Sequence, residues 1–233
     1  MADSDTPLGG RPHSAGVNSA EEKAEFLTAL RAQVGTTGRP LTARDPVSEP
    51  AIRTWCDAMA EGNPLYTNYE RATAGPYGRI VAPPAMLQVW TMVGLHQGGP
   101  TGRAVEDTPS AGVYQLLDDA GFVGVVATNA TYSYDRLLRP GDLLTGRQTL
   151  VEVSEEKATG LGVGHFVTTE TLYADQDGGR VGSMTFRILK FRPGTGRQTV
   201  EDDNTEVRPV RPRPATNKST EWFWDGCRAN QLR

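Results

Sequence analysis

Glu61 and Tyr66 bracket Gly62-Asn63-Pro64-Leu65, and this short segment holds the densest set of chemistry-bearing residues in the chain. A carboxylate and a phenol are both general acid/base groups. An unperturbed phenol has a pKa of about 10, so Tyr66 can donate a hydrogen bond near neutral pH but cannot act as a base there. Asn63-Pro64 stops a helix, because the residue before a proline is pushed out of the helical region. The segment is therefore a helix-to-loop junction, where backbone amides can face a cleft and stabilise an oxygen that gains negative charge.

The other candidates are weaker. His96 closes an apolar pattern before Gly98-Gly99-Pro100, His165 opens a strand pattern, and His13 lies in a polar N-terminal stretch. The two cysteines, Cys56 and Cys227, are far apart in sequence and read as reduced thiols; no metal site is expected. Gly160, Gly162 and Gly164 fall between strands, so they are not a dinucleotide fingerprint.

The elements that must position the junction follow from periodicity. Ser19 and Glu22 form a capping box before Phe26, Leu27, Leu30 and Val34. Ser48 can cap a second helix with Ile52, Trp55, Cys56 and Met59 on one face, and Gly62 is expected to take the left-handed conformation beyond its end. Pro83-Pro84 is expected to open a third helix, apolar nearly all round through Met86, Leu87, Val89, Trp90, Met92, Val93 and Leu95, and hence enclosed by a sheet. A short helical patch holds Tyr114, Leu116 and Leu117. Strand patterns follow over 123–134, 143–153 and 165–173, and in a last strand where Met184, Phe186 and Ile188 alternate with polar residues. Arg139-Pro140-Gly141-Asp142 and Asp175-Gln176-Asp177-Gly178-Gly179 are turns. Helices followed by consecutive antiparallel strands give an α+β class.

Composition sets the outer limits. The chain of 233 residues has 37% hydrophobic residues, 26 glycines and 16 prolines, so part of it is expected to lie outside a packed core. Residues 1–18 read as a disordered tail, 19–192 as the folded domain, 193–215 as a Pro/Arg-rich linker, and 216–233 as an aromatic tail carrying Trp222-Phe223-Trp224. A net charge of −4 gives no case for nucleic acid or an anionic membrane. No apolar run approaches the roughly 18 residues of a membrane span and no signal sequence opens the chain, so a cytoplasmic location is expected.

The segment Glu61 to Asn68, the run Ile80-Val81-Ala82-Pro83-Pro84-Ala85-Met86, and Arg139-Pro140-Gly141-Asp142 leading on to Phe166-Val167-Thr168-Thr169 together resemble a MaoC-like hydratase over about residues 20–192. Active members of that family read Gly-Asp-x-Asn-Pro-Ile/Leu-His at the first motif. Here Glu61 stands at the Asp position and Tyr66 at the His position, while Asn63 keeps the motif Asn. The resemblance implies a hot-dog fold, an antiparallel sheet wrapped around a buried central helix, and water addition to an enoyl thioester without a cofactor. It also implies that this chain has lost the catalytic pair and works with a smaller MaoC-like subunit that keeps Asp and His. Asn63, Pro84, Met86 and Trp90 are then the expected contacts to an acyl-CoA substrate.

Thr220 to Arg233 resembles the opening of the OB-fold/zinc-ribbon domain that follows the MaoC part in larger subunits of actinobacterial steroid side-chain enoyl-CoA hydratases. That implies a bulky steroid acyl group and contact with a thiolase-like aldolase through the C-terminal extension. Two alternatives stay open: a non-catalytic subunit of a (3R)-hydroxyacyl-carrier-protein dehydratase, and an acyl-thioester binding or scaffold protein without enzyme activity.

Overall fold

The computed structural model describes residues 19–92 and 108–196. The first helix, α1 (Ala20–Arg31), begins as its sequence requires. The Ser19 side chain accepts from the Glu22 amide, and the Glu22 carboxylate accepts from the Ser19 amide. A two-residue strand β1 (Leu41–Thr42) follows, then α2 (Glu49–Met59) and the short helices α3 (Pro64–Thr67) and α4 (Tyr69–Ala74). After two 3-10 turns comes α5 (Ala111–Asp119). The remainder is strand: β2 (Gly124–Tyr134), β3 (Thr145–Val153), β4 (Lys157–Ala158), β5 (Val163–Ala174) and β6 (Arg180–Arg192).

The sheet has the order β1-β3-β5-β6-β2, every neighbouring pair antiparallel, with β4 paired to the start of β5. Irregularities at Ala127/Asn129 in β2 and Leu150/Glu152 in β3 fall where the strands must bend. One face of the sheet carries the core. Leu30 of α1 and Val113 and Leu117 of α5 pack with Phe122, Leu150, Val153, Val167 and Ile188. A second cluster joins Ile52 and Cys56 of α2 to Leu65, Tyr66, Val81, Met86, Tyr173 and Met184. This is the α+β class expected from the element order.

The two predicted turns close as their residues dictate. Gly141 has φ 98°, and the Asp142 carboxylate accepts from the Arg139 amide at 2.8 Å. Gly178 has φ 80°, and the Asp175 carboxylate accepts from the Asp177 and Gly179 amides. The Pro-Gly-Asp turn is stitched to the residue before the N-cap of α2: Gly141 N donates to Val47 O, and Val47 N to Asp142 O, both at 2.8 Å. A turn remote in sequence thus fixes where α2 starts, and α2 delivers Glu61 and Tyr66.

Three local expectations are corrected. The left-handed residue after α2 is Ala60 (φ 52°), not Gly62, because the helix closes two residues earlier than the glycine. Met59, placed on the buried stripe by its spacing, is 62% exposed at the frayed end of α2. The third helix is not continuous from Pro83: Pro84–Met86 and Val89–Thr91 form separate 3-10 turns, and Met92 is extended with ψ 130°. Apolarity on all sides did not bury the segment, since Val89 and Met92 are exposed while Met86 and Leu87 are buried. Residues 93–95 and His96 lie outside the described residues. So do the 1–18 tail with His13, the linker from 197 onward, and the 216–233 tail with Cys227.

Candidate functional site

At the junction, Glu61 N donates to Cys56 O at 2.8 Å, continuing the closure of α2. The Glu61 side chain is exposed, and its Oε1 accepts from the Asn63 amide at 2.9 Å, so the carboxylate is engaged in shaping its own loop. Asn63 is buried and caps α3: its Oδ1 accepts from the Leu65 amide at 3.0 Å. Pro64 follows in the first turn, where its missing N–H costs nothing. Tyr66 is 4% exposed and packs in the cluster of Ile52, Cys56 and Met86. The frame of the motif is intact, with Glu61 on its solvent side and Tyr66 on its core side. Burial, then the nearby Glu61 and Asp57 carboxylates, push the Cys56 thiol above its ordinary pKa, which disfavours the thiolate, and the side chain packs in the α2 cluster.

Of the other expected contacts, Met86 is wholly buried, Pro84 half-buried, and Trp90 half-buried against the same cluster. The Trp90 indole Nε1 is buried and has no hydrogen-bond partner among the described residues. A cavity of about 350 Å³ lies alongside, between the concave face of the sheet and the segments 88–92 and 108–114. Its described lining takes Gln88, Thr91 and Met92 from the 3-10 segment, not Asn63, Pro84, Met86 or Trp90. From the sheet it takes Gly146, Gln148, Thr169, Thr171, Tyr173 and Met184. Sequence reasoning missed these sheet residues. The available signal was the polar set Gln148, Thr169 and Thr171, which falls at the period-2 positions of β3 and β5 that also hold Leu150 and Val167, and so faces the core.

His165 does not join this site. It is 3% exposed, with Nδ1 2.9 Å from Ser154 O, and its ring sits edge-on to Phe122 at 5.0 Å and to Phe26 at 6.0 Å. Burial lowers its pKa. It lines a separate cavity of about 240 Å³ under α1, with Leu27 and Arg192.

The profile of the FAS1-like dehydratase domain region matches residues 32–184. The chain belongs to this family. It is 40% identical over 206 residues to the 3-oxo-4,17-pregnadiene-20-carboxyl-CoA hydratase alpha subunit of Mycobacterium tuberculosis, covering 87% of this chain and 63% of that protein. It is 36% identical over 213 residues to a probable enoyl-CoA hydratase alpha subunit of Thermomonospora curvata, covering 89% of this chain and 64% of that protein. The chain thus spans just under two thirds of the length of these curated relatives. Among solved structures, a chain of the ChsH1-ChsH2 complex from Mycobacterium tuberculosis superposes with a TM-score of 0.66 at 39% identity, over 79% of this chain and 99% of that one. A MaoC-like dehydratase at 18% identity shares the fold, with a TM-score of 0.52 over 70% of this chain and 44% of that one. The dehydratase domain here is therefore a hot-dog fold. No helix among the described residues is long and apolar enough to cross a membrane.

Proposed function

We propose that this chain is the non-catalytic, substrate-accommodating subunit of a hetero-oligomeric enoyl-CoA hydratase that acts on a bulky acyl-CoA, a steroid side-chain thioester like the one a relative is named for. The observation that carries the reading is the state of the motif. Hydration of an enoyl thioester needs a base to activate water and an acid to protonate the α-carbon. Here the carboxylate is exposed and committed to the Asn63 amide, and the residue at the His position is a buried tyrosine. The loop survives while the pair that does the chemistry does not.

The division of labour follows. A smaller MaoC-like partner supplies Asp and His, the water and the proton. This chain supplies the cavity between the sheet and the 3-10 segment. The relatives named as alpha subunits of hydratases, and the match to one chain of a two-component complex, support the same assignment. The segment 216–233 extends it: as part of the C-terminal extension it serves the attachment of a thiolase-like aldolase that consumes the hydrated product.

The test is reconstitution. Loss of enoyl-thioester absorbance is followed with the chain alone, the smaller subunit alone, and both. Turnover by the mixture and none by this chain is expected. Substantial turnover by this chain alone overturns the reading. Deleting 216–233 is expected to spare hydration and abolish copurification of the aldolase; the reverse outcome moves the tail to the hydratase interface.

A further inference from the structure

The floor of the large cavity carries a polar triplet among apolar neighbours such as Met184 and Phe186. Thr171 on β5 stands opposite Gln148 on β3 and opposite Met184 on β6. Gln148 Nε2 donates to Thr169 Oγ1 at 3.2 Å. The Thr171 hydroxyl and the Gln148 side-chain carbonyl have no hydrogen-bond partner among the described residues, although Thr171 is only 8% exposed and both side chains line the cavity. The Thr171 hydroxyl is open to the cavity and so is available to a ligand atom. A cavity for a plain hydrocarbon chain has no use for such a floor. Its remaining lining includes Leu41, Met92, Met184 and Phe186, which suit an apolar body.

Two residues along β3 from Gln148, on the same face, the floor has no side chain at all. A Cβ placed on Gly146 would come within 3.3 Å of Tyr173 Cε1 and 3.4 Å of Thr171 Cγ2, so any larger residue there projects into the space beside Thr171. Gly146 has no positive φ that demands glycine. Its emptiness therefore serves space, and not backbone geometry.

We propose that this floor receives the ring end of the acyl group: Thr171 and Gln148 hydrogen-bond an oxygen that the rings carry in addition to the thioester, and Gly146 sets the width that admits them. The inference rests on the acyl-accommodating role given above. It adds the residues that read the ring oxygen, Thr171 and Gln148, and the one that sets the width, Gly146. A site whose buried polar groups are paired by the ligand discriminates strongly against a ligand that lacks the matching atom.

The test uses the full chain in complex with the catalytic subunit and three probes: 3-oxo-4,17-pregnadiene-20-carboxyl-CoA, its counterpart without the 3-oxo group, and crotonyl-CoA. The expected result is a preference in kcat/KM for the 3-oxo thioester over its deoxy counterpart, reduced about tenfold by Thr171→Val. The change puts a methyl in place of the hydroxyl and leaves the shape nearly unaltered. Gly146→Val is expected to lower the ratio of steroid to crotonyl turnover about tenfold or more, with Gly146→Ala intermediate should the valine variant fail to fold. An unchanged 3-oxo/deoxy ratio in Thr171→Val overturns the recognition, and an unchanged steroid/crotonyl ratio in both Gly146 variants overturns the width. Calorimetric binding of the two steroid thioesters is measured in parallel. If the complex hydrates nothing yet binds the 3-oxo form more tightly in a Thr171-dependent way, the enzymatic reading falls and the inference stands. If it hydrates all three probes without discrimination, the inference falls and the enzymatic reading stands.

Discussion

Arg136 Nη1 donates to Asp142 Oδ2 at 2.6 Å, and this contact fastens the Pro-Gly-Asp turn to the end of β2. The same guanidinium reaches Asp175 with Nη2 at 2.8 Å, so one side chain, 28% exposed, ties together both tight turns of the sheet. Arg136→Met leaves the largely enclosed Asp142 carboxylate without its cation. The expected cost is about 2 kcal/mol, the range for a charge-assisted hydrogen bond lost from a partly buried site, read as a lower denaturant midpoint. A midpoint within error of the parent would show that the turns stand on their backbone bonds alone.

Replacing Glu61 by Gln and Tyr66 by Phe, singly, is expected to change hydration by the complex less than about tenfold, or about 1.4 kcal/mol. Glutamine keeps an oxygen that can accept from the Asn63 amide, so the loop is preserved while the charge is removed. A thousandfold loss at unchanged substrate binding in either variant would assign chemistry to that residue.

His165 makes stability pH-dependent. Burial holds its folded pKa below the ordinary 6.5, so the unfolded chain takes up a proton at a pH where the folded chain does not. The contribution is complete above pH 6.5 and is lost as pH falls from there toward the folded value. His165→Phe, which cannot titrate, is expected to flatten this part of the curve even if it lowers stability throughout. Thermal midpoints taken across that window in both proteins are the measurement, and parallel curves would exclude His165 as the source.

Ser19→Ala removes one half of the reciprocal cap on α1 and is expected to cost about 1 kcal/mol. Because Leu30 of α1 is buried against the sheet, the loss should register in global unfolding and not only as fraying.

Much of the fold could be read where local chemistry decides the outcome. The Ser19/Glu22 cap, the glycine-dependent turns at Gly141 and Gly178 and the four long strands are all set by residues within a few positions of each other. The failures occur where a distant partner decides. Apolarity at Val89 and Met92 speaks for burial, yet both side chains are exposed, because burial depends on what packs against the segment and not on its own composition. β1 and β4 are two residues each, below the length at which alternation can be detected. Asn63, Glu61 and Tyr66 could be singled out together because they belong to one contiguous segment. Gly146 and Thr171 come together only through strand register, which no local pattern reveals.

β2 ends the sheet: among the described residues its outer edge has no partner along eleven residues, with Val123, Val125 and Tyr134 exposed beside it. An open edge of that length is a template for any other strand, including a copy of itself. Made alone, the chain is expected to aggregate more readily than when that edge is covered, so its solubility would depend on how soon something pairs with β2.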